Sequence, residues 1–235
     1  MILAILQVRM TSLRLPGKAM ALLRGEPMVW RQLERIRQAR LVDRVVVATS
    51  DEPVDDLLAS FLVSRGVTVF RGASTNLTER FMRCVDAAGP VTGVVRLKGD
   101  SPFVDPRIID AAIRLAQETG AAYASNRVER SFPKGLEVEV AAAGALWDSA
   151  RLVDPVTAAT VSPMAQLRAR PDRYPHAHLM AARDWSALDW RIKTKADWDF
   201  ARAVYDALYA ADPAFSMEDV LDVLHGRQAI SSWVA

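Results

Sequence analysis

Two polar segments of the chain concentrate residue types that bind phosphate and metal ions. Residues 7–18 (QVRMTSLRLPGK) hold three cations and two hydroxyl groups, and residues 96–106 (RLKGDSPFVDP) hold two aspartates. Guanidinium and ammonium groups bind phosphate oxygens, while magnesium takes one or two carboxylates together with substrate phosphates. The two segments therefore indicate chemistry on a phosphate-bearing anion.

The first of these segments follows a short apolar run and must turn at Pro16-Gly17. It contains neither G-x-x-x-x-G-K-[ST] nor G-x-G-x-x-G. Successive backbone N–H groups in a tight loop still form an anion-binding nest, around which Arg14 and Lys18 could close. The alternative is a surface turn whose cations are only solvated, and the spacing of the residues is compatible with both.

Four acidic residues lie shortly after a predicted strand or within one. Asp100 comes directly after a strand and is a candidate magnesium ligand. Asp105 is predicted to be a helix N-cap, because Pro106 follows it at the first helical position. Glu137 and Glu139 share one face of a predicted strand, where acids are usually solvated unless the strand borders the pocket.

The elements that position these residues alternate between strands and helices. Apolar runs predict strands at 2–6, 44–49, 67–72, 93–99 and 121–125. Antiparallel strands are predicted at 135–140, 176–181 and 189–193. Helical periodicity and capping signals predict helices at 27–40, 51–66, 76–89, 105–120, 195–211 and 216–225. This alternation favours an α/β fold with a mostly parallel mixed sheet, helices on both faces and ligands at the carboxyl ends of strands.

The composition excludes several classes of protein. A net charge of +2 over 235 residues is too small to indicate a nucleic-acid partner or an anionic membrane surface. No apolar stretch approaches the ~18 residues that span a bilayer, and no signal-peptide pattern opens the chain. We expect a cytoplasmic protein with a single domain, 1–235, in which about 135–180 form a smaller extension.

The opening ILAILQVRMTSLRLPGK (2–18) resembles that of the nucleotide-sugar cytidylyltransferases, which reads close to Q-A-R-M-G-S-T-R-L-P-G-K. The likeness is strongest to the spore-coat-polysaccharide branch, a relative of the CMP-KDO and CMP-sialic acid synthetases. It continues in the family's order through VVVATS (45–50), VFRG (69–72), LTERF (77–81), RLKGDSPFVDP (96–106), ASN (124–126), PKGLEVEV (133–140) and FSMEDVLDVL (215–224). Each motif is weak alone, but the ordered set covers nearly the whole chain.

The resemblance implies a three-layer α/β/α nucleotidyltransferase fold, with a small antiparallel extension of the sheet. It also implies transfer of CMP from CTP to a sugar or sugar-like acceptor, with release of pyrophosphate, in surface polysaccharide or glycan biosynthesis. Magnesium would be the cofactor, and Asp100 would be its ligand. The implied nucleotide-binding residues are Gln7, Arg9, Met10, Ser12, Arg14, Lys18, Arg80 and Asp100. The implied catalytic residues are Lys18, Asp100 and Lys193, and the implied acceptor-binding residues are Asn126, Lys134, Glu137 and Glu139.

The chain departs from the family pattern near the expected reaction centre. WRIKTKADWDF (190–200) aligns with R-x-T-V-D-T-P-E-D and places Lys193 where the family has an aspartate. Lys193 either supplies a fixed positive charge in place of the metal, pairing with Asp100 or a phosphate, or marks the loss of metal and reaction. AATVSP (158–163) stands in for R-E-H-V-T-P, and Lys134 replaces an acid. Thr11 replaces a glycine, a mild change if its φ is negative.

Three functional hypotheses follow from these residues. The chain is an active cytidylyltransferase with an altered acceptor, a catalytically silent nucleotide- or sugar-binding homologue, or a glycosyltransferase that uses a nucleotide sugar. The retained Arg14, Lys18 and Asp100 favour the first. The segment 135–180 contains apolar residues that suit either a homodimer surface or a local core.

Overall fold

The apolar run at the start of the chain forms a central strand, β1 (Ile2–Gln7), that is covered on both faces. Leu3 and Ile5 pack in one buried cluster, whereas Ala4 and Leu6 pack in another. Alternate side chains of a strand point to opposite faces of the sheet, so two apolar sets require two covering layers. The near-continuous apolar sequence of this strand thus corresponds to burial on both sides.

The computed structural model describes residues 1–12, 14–154 and 161–226. The further strands within these ranges are β2 (Leu22–Leu23), β3 (Glu26–Pro27), β4 (Arg44–Ser50), β5 (Val69–Gly72), β6 (Gly93–Lys98), β7 (Tyr123–Ser125), β8 (Glu139–Ala142) and β9 (His176–His178). Seven of the described strands form one sheet in the order β5-β4-β1-β6-β8-β7-β9, and β2 and β3 form a separate hairpin. In the sheet, only the pairings of β8 with β6 and β7 are antiparallel. The prediction of a mostly parallel mixed sheet is confirmed.

Helices cover both faces of this sheet. Their bounds are α1 (Met28–Ile36), α2 (Asp56–Ser64), α3 (Leu77–Ala88), α4 (Pro106–Thr119), α5 (Ala143–Ala150), α6 (Ala165–Ala169), α7 (Lys195–Leu208) and α8 (Met217–Gly226). Buried residues of α1, α2, α4, α7 and α8 pack with the Leu6 side of β1, and those of α3, α5 and α6 pack with the Leu3 side. The three-layer α/β/α arrangement is therefore confirmed. None of the helices described is long and apolar enough to cross a membrane.

The six predicted helices are present as α1–α4, α7 and α8, while α5 and α6 were not predicted. Asp105 caps α4 as expected, accepting a hydrogen bond from the backbone N–H of Arg107 at 2.8 Å. Ser216 and Asp219 form the expected reciprocal cap of α8. In contrast, α5 begins directly after β8 with Ala142 at its N-cap and no side-chain cap, so it lacks a start signal.

Three predicted antiparallel strands need correction. The segment 135–140 pairs only from Glu139 onward, in β8, although that pairing is antiparallel as predicted. The segment 176–181 forms the short β9, which runs parallel to β7 rather than antiparallel. The segment 189–193 is not a strand, because its backbone bridges two loops instead of following one strand. The N–H of Trp190 donates to the carbonyl of Lys134, and that of Ile192 donates to the carbonyl of Asp100.

The order of the strands places two polar loops side by side. Strand β1 pairs with β4 on one side and with β6 on the other, so the chain order reverses at β1. The loops after β1 and β6 leave the sheet at the same edge because these strands are parallel. Ligands of open α/β sheets bind in the crevice at such a reversal.

Candidate functional site

A cleft of about 940 Å³ lies where the loops after β1 and β6 meet. It is lined by Gln7, Val8, Arg9, Thr11, Ser12, Arg14, Pro16, Lys18, Leu77, Arg80, Arg96, Lys98, Gly99 and Asp100. Seven of the eight residues predicted to bind nucleotide are among them, and Met10 is the exception. Six arginine and lysine side chains, from the two polar segments and from α3, line the cleft together with a single carboxylate. The lining therefore suits a polyanion.

The first loop is closed by its own backbone. Gly17 adopts a left-handed conformation with φ of 72°, and its N–H donates to the carbonyl of Met10 at 3.1 Å. The hydroxyl of Ser12 accepts a hydrogen bond from the N–H of Leu15 at 3.3 Å. Of the non-glycine residues described, only Arg24 has a positive φ, so Thr11 replaces the family's glycine without backbone strain.

Asp55 anchors this loop to the end of β4, a role that sequence reasoning missed. One of its carboxylate oxygens accepts from the N–H of Met10 at 2.6 Å, and the other accepts from the hydroxyl of Thr49 at 2.8 Å and the N–H of Ser50 at 3.0 Å. Burial alone would raise the pKa of Asp55, but these hydrogen bonds outweigh it and lower the pKa. Met10 therefore supports the cleft through its backbone.

Lys18 is half-buried at the start of a short 3-10 turn and lines the cleft. Its ammonium donates to the carbonyl of Ile192. Burial lowers the pKa of Lys18, and the positive charge of Arg14 adds to this, whereas the carboxylate of Asp100 opposes it. Within the described ranges, Lys18 has no ion pair with an acid, so an incoming anion would find an uncompensated charge.

Arg80 is a second cation of the cleft wall that has no ion pair with a described residue. It is only 2% exposed, and the one hydrogen bond that it makes to a described residue goes to the carbonyl of Ala73 at 3.1 Å. Its Nε is left without an acceptor. Burial lowers the pKa of Arg80, and the nearby charge of Arg9 lowers it further. A buried guanidinium without an anion is costly, so this position favours binding of negative charge from the cleft.

Asp100 is the only carboxylate among the described residues that line the cleft. One of its oxygens accepts from the hydroxyl of Ser101 at 3.2 Å, and the described residues offer it no ion pair within 4.0 Å. Magnesium is commonly held by one or two carboxylates with phosphate oxygens completing the shell. The residues present therefore fit a magnesium ion shared with a phosphate ligand, although the described residues contain no cluster of three or more potential ligands.

Lys193 does not pair with Asp100, which was one of the two partners that the sequence hypothesis offered for it. Its ammonium lies 2.8 Å from a carboxylate oxygen of Asp189, which Arg191 also contacts at 2.5 Å. Burial would raise the pKa of Asp189, but the hydrogen bonds from Arg191 and Lys193 outweigh burial and lower it. Lys193 is not among the residues that line the cleft.

The predicted acceptor-binding residues lie between the end of β7 and the first residue of β8, outside the cleft lining. Asn126 is 2% exposed and braces this segment, since its amide donates to the carbonyl of Leu136 and accepts from the N–H of Val138, both at 2.8 Å. Glu137 accepts from the N–H of Gly135 at 2.8 Å. Lys134 contributes backbone hydrogen bonds to residues 188 and 190. The family's R-E-H-V-T-P segment corresponds to 158–163, of which 158–160 lie outside the described residues.

Glu139 is the centre of a buried ionic network, and the expectation that it is solvated is wrong. It is 1% exposed and lies 2.5 Å from the guanidinium of Arg96; Arg168 also contacts it, and the hydroxyl of Tyr123 donates to it at 2.8 Å. Burial alone would raise the pKa of Glu139, but the charges of Arg96 and Arg168 lower it to about 2. Arg96 in turn donates to the side chain of Gln7 at 2.6 Å, which links the network to the cleft.

Arg96 and Lys98 line the cleft but were not among the site residues predicted from the sequence. Both lie in the predicted strand 93–99, where charged residues in a buried run were an available signal. Burial lowers the pKa of Lys98, and the charge of Glu137 opposes that effect.

A parallel sheet with a cation-rich cleft at its strand ends is the arrangement of α/β proteins that bind phosphorylated ligands. A family model described as cytidylyltransferase matches residues 3–150 of the chain. The spore coat polysaccharide biosynthesis protein SpsF of Bacillus subtilis (strain 168) is 32% identical over 210 residues, which are 87% of this chain and 86% of that protein. The chain belongs to the cytidylyltransferase family.

One further relative and two solved structures are also similar to this chain. The 3-deoxy-manno-octulosonate cytidylyltransferase of Syntrophotalea carbinolica is 36% identical over 120 residues, 51% of this chain and 47% of that protein. The solved structure of a cytidylyltransferase from Leptospira borgpetersenii has a TM-score of 0.89 at 24% identity, covering 97% of this chain and 95% of that one. The structure of a CMP-2-keto-3-deoxy-manno-octonic acid synthetase complexed with CTP has a TM-score of 0.63 at 17% identity, covering 88% and 98%. At these identities the solved structures establish the fold.

Proposed function

We propose that this chain transfers CMP from CTP to an oxygen of a sugar or sugar-like acceptor, with release of pyrophosphate, during synthesis of a surface polysaccharide or related glycan. Membership of the cytidylyltransferase family supports the reaction. The names of its relatives, a spore coat polysaccharide biosynthesis protein and an octulosonate cytidylyltransferase, support the substrate class. The observation that carries the proposal is the cleft in which Arg9, Arg14, Lys18 and Arg80 line a pocket without ion pairs in the described part of the chain.

In this reaction the oxygen of an acceptor hydroxyl attacks the α-phosphorus of CTP and gives up its proton to solvent. The bond from that phosphorus to the bridging oxygen breaks, and its electron pair leaves with pyrophosphate. The developing charge lies on phosphate oxygens, so catalysis depends on positioning and charge stabilisation. Arg14 and Lys18 lie on the loop after β1, and Arg80 lies opposite on α3. We assign the triphosphate to the space between them.

Asp100 is the residue that would hold a magnesium ion, together with phosphate oxygens of the ligand. When bound, magnesium would neutralise phosphate charge and favour the departure of pyrophosphate. Asp100 suits this task because, among the described residues, only the neutral hydroxyl of Ser101 donates to its carboxylate, at one of the two oxygens. Lys18 lies close enough to Asp100 for the carboxylate to affect its pKa, so both groups would act on the same phosphates.

We still propose that the acceptor binds to the segment that carries Lys134 and Glu137. Lys98 lines the cleft near this segment, since the charge of Glu137 acts on it. The bracing contacts of Asn126 and the buried network of Glu139 support a role in shaping that segment rather than touching the acceptor. We also retain the proposals of a cytoplasmic location and of a homodimer formed through 135–180. Trp147, which is 39% exposed on α5, supports the latter.

The test is calorimetric titration of CTP into the protein with and without magnesium, beside ATP, GTP and UTP. Micromolar CTP binding that magnesium strengthens would support the nucleotide site and the role of Asp100. Pyrophosphate release on addition of candidate acceptors would then support transfer. CTP binding without pyrophosphate release under any acceptor would favour a silent binding protein, and failure of all four triphosphates to bind would refute the proposal.

A further inference from the structure

The side chain of Gln7 has a fixed orientation at the cleft wall. Its Oε1 accepts a hydrogen bond from the Nε of Arg96 at 2.6 Å. A guanidinium has only donors, so the oxygen and not the nitrogen of the amide must face it. The Nε2 of Gln7 is consequently the free end of the amide, and it is buried without a partner.

Arg96 cannot easily release Gln7, because its own position is fixed. Its guanidinium lies 2.5 Å from Glu139, which also binds Arg168 and the hydroxyl of Tyr123. Arg96 is 9% exposed and Glu139 is 1% exposed. Rotation of the Gln7 amide would place an NH₂ group against a donor-only guanidinium, so the network of Glu139 sets which atom of Gln7 is the available donor.

A buried N–H group without a partner at the wall of a cleft would gain its missing hydrogen bond from an acceptor on a bound ligand. Gln7 lines the cleft and carries an uncharged amide, whereas its neighbours Arg9, Arg14 and Lys18 carry the charge suited to phosphates. Amides read nucleobases through hydrogen bonds to their edges. Cytosine and uracil differ at N3, which is an acceptor in cytosine and carries a hydrogen in uracil.

We propose that the Nε2 of Gln7 donates to N3 of cytosine and thereby selects CTP over UTP, with Arg96 as the positioning residue that fixes the amide. This inference rests on the proposed function, since it assigns a base to the same cleft. The linked side chains of Glu139, Arg96 and Gln7 then determine which base the site accepts. Uracil would present a donor to a donor, which leaves both groups unsatisfied in a buried position.

Gln7→Glu tests the inference, because glutamate keeps the shape and the bond to Arg96 but presents an acceptor to the cleft. The added negative charge weakens the binding of every triphosphate, so the informative quantity is the ratio of the Kd values for UTP and CTP. We expect the wild-type protein to prefer CTP by at least about tenfold, and Gln7→Glu to lower this preference by about tenfold or reverse it.

Two further variants separate the base contact from general effects. Thr11→Glu adds the same charge to the cleft lining and is expected to weaken CTP and UTP equally, leaving their ratio unchanged. Arg96→Lys keeps a positive charge beside Glu139 but releases the amide. It should reduce the CTP preference while the affinity for inorganic tripolyphosphate stays as in the wild-type protein.

The outcomes are distinguishable from those of the proposed function. A wild-type protein that binds CTP and UTP equally, or a Gln7→Glu variant with an unchanged ratio, would overturn the inference and leave the CTP site standing. Binding of neither nucleotide by the wild-type protein would overturn the proposed function and the inference together. Because Gln7→Glu buries a new charge beside Arg96, circular dichroism must show that the variant is folded, and Arg96→Lys tests the same contact without the added charge.

Discussion

The ammonium of Lys193 lies 2.8 Å from a carboxylate oxygen of Asp189, and Arg191 contacts the same carboxylate. The cation that stands where the family pattern has an aspartate is therefore partly neutralised beside the cleft. Lys18 differs from Lys193 in two ways: it lines the cleft, and it has no acidic partner in the described ranges. The two lysines, both predicted to be catalytic, should not contribute equally.

We expect Lys18→Met to weaken the binding of CTP by about 10- to 100-fold, because the half-buried charge that we assign to the triphosphate is lost. Lys193→Met should change the affinity by no more than about threefold, because Arg191 still holds Asp189 in place. Lys195→Met is the matched control, since this lysine is 76% exposed and pairs with Asp199. Calorimetry in magnesium measures all three. Equal losses for Lys18→Met and Lys193→Met would contradict this assignment.

Gly99 lies where β6 approaches the loop after β1. Its N–H donates to the carbonyl of Gln7 at 2.8 Å, and a Cβ at this position would lie 2.6 Å from the Cβ of Val8. We expect Gly99→Ala to destabilise the protein by ~1–3 kcal/mol, because both loops must move apart. Since these loops carry Gln7 and Asp100, CTP affinity should fall as well.

The matched control for Gly99→Ala is Gly144→Ala in α5. Nothing lies within 4 Å of a Cβ built on Gly144, so alanine there should stabilise the protein by ~0.5–1 kcal/mol through its higher helix propensity. Urea denaturation compares the two variants. If Gly99→Ala were as stable as the wild-type protein and bound CTP normally, the close approach of the two loops would not matter for the site.

Asp55→Asn tests whether the loop after β1 is held by a carboxylate. Asp55 accepts hydrogen bonds from Met10, Thr49 and Ser50, and an amide would turn its NH₂ group towards one of these donors. We expect a loss of ~1–3 kcal/mol in the free energy of unfolding and weaker CTP binding, although Asp55 does not line the cleft. Asp86→Asn, at an exposed position on α3, should change the stability by less than ~0.5 kcal/mol. Unchanged CTP affinity in a folded Asp55→Asn protein would show that the loop needs no such anchor.

The order of strands and helices was predictable because it depends on local patterns. Strand β1 is a continuous apolar run, and α4 begins with the Asp-Pro pair at 105–106 that caps a helix. Helix α5 was missed because it has no capping signal, whereas the errors among the antiparallel strands fall where distant contacts decide. The segment 189–193 has the composition of a strand, but Trp190 and Ile192 bond to separate loops, and no local pattern encodes these partners.

The candidate site was predictable for the loop after β1, for Asp100 and, through the family motif, for Arg80, but not for Arg96 and Lys98. Glu139 was misjudged, because alternation along a strand predicts which face a side chain shares but not whether that face is buried. Its counter-charges, Arg96 and Arg168, lie 43 and 29 residues away. Asp55 was missed for the same reason, since its bond to Met10 spans 45 residues.

The stability of the Glu139 network should depend on pH in a defined direction. Neighbouring arginines hold the pKa of Glu139 at about 2, below its ordinary value of 4.5, despite burial. A carboxylate with a lowered pKa in the folded state stabilises the protein fully above pH 4.5 and loses that contribution as the pH falls towards 2. We therefore expect this residue to account for roughly 3 kcal/mol of acid destabilisation over that interval.

Glu139→Gln leaves Arg96 and Arg168 without their counter-charge, so it should lower the free energy of unfolding by ~3 kcal/mol at pH 7. The difference from the wild-type protein should shrink between pH 4.5 and 2, because the wild-type protein then loses the same interaction by protonation. Urea denaturation at a series of pH values measures this, with Glu118→Gln at an exposed position on α4 as the matched control. A difference that stayed constant across this interval would mean that Glu139 acts through shape and hydrogen bonding, since protonation would then leave its contribution unchanged.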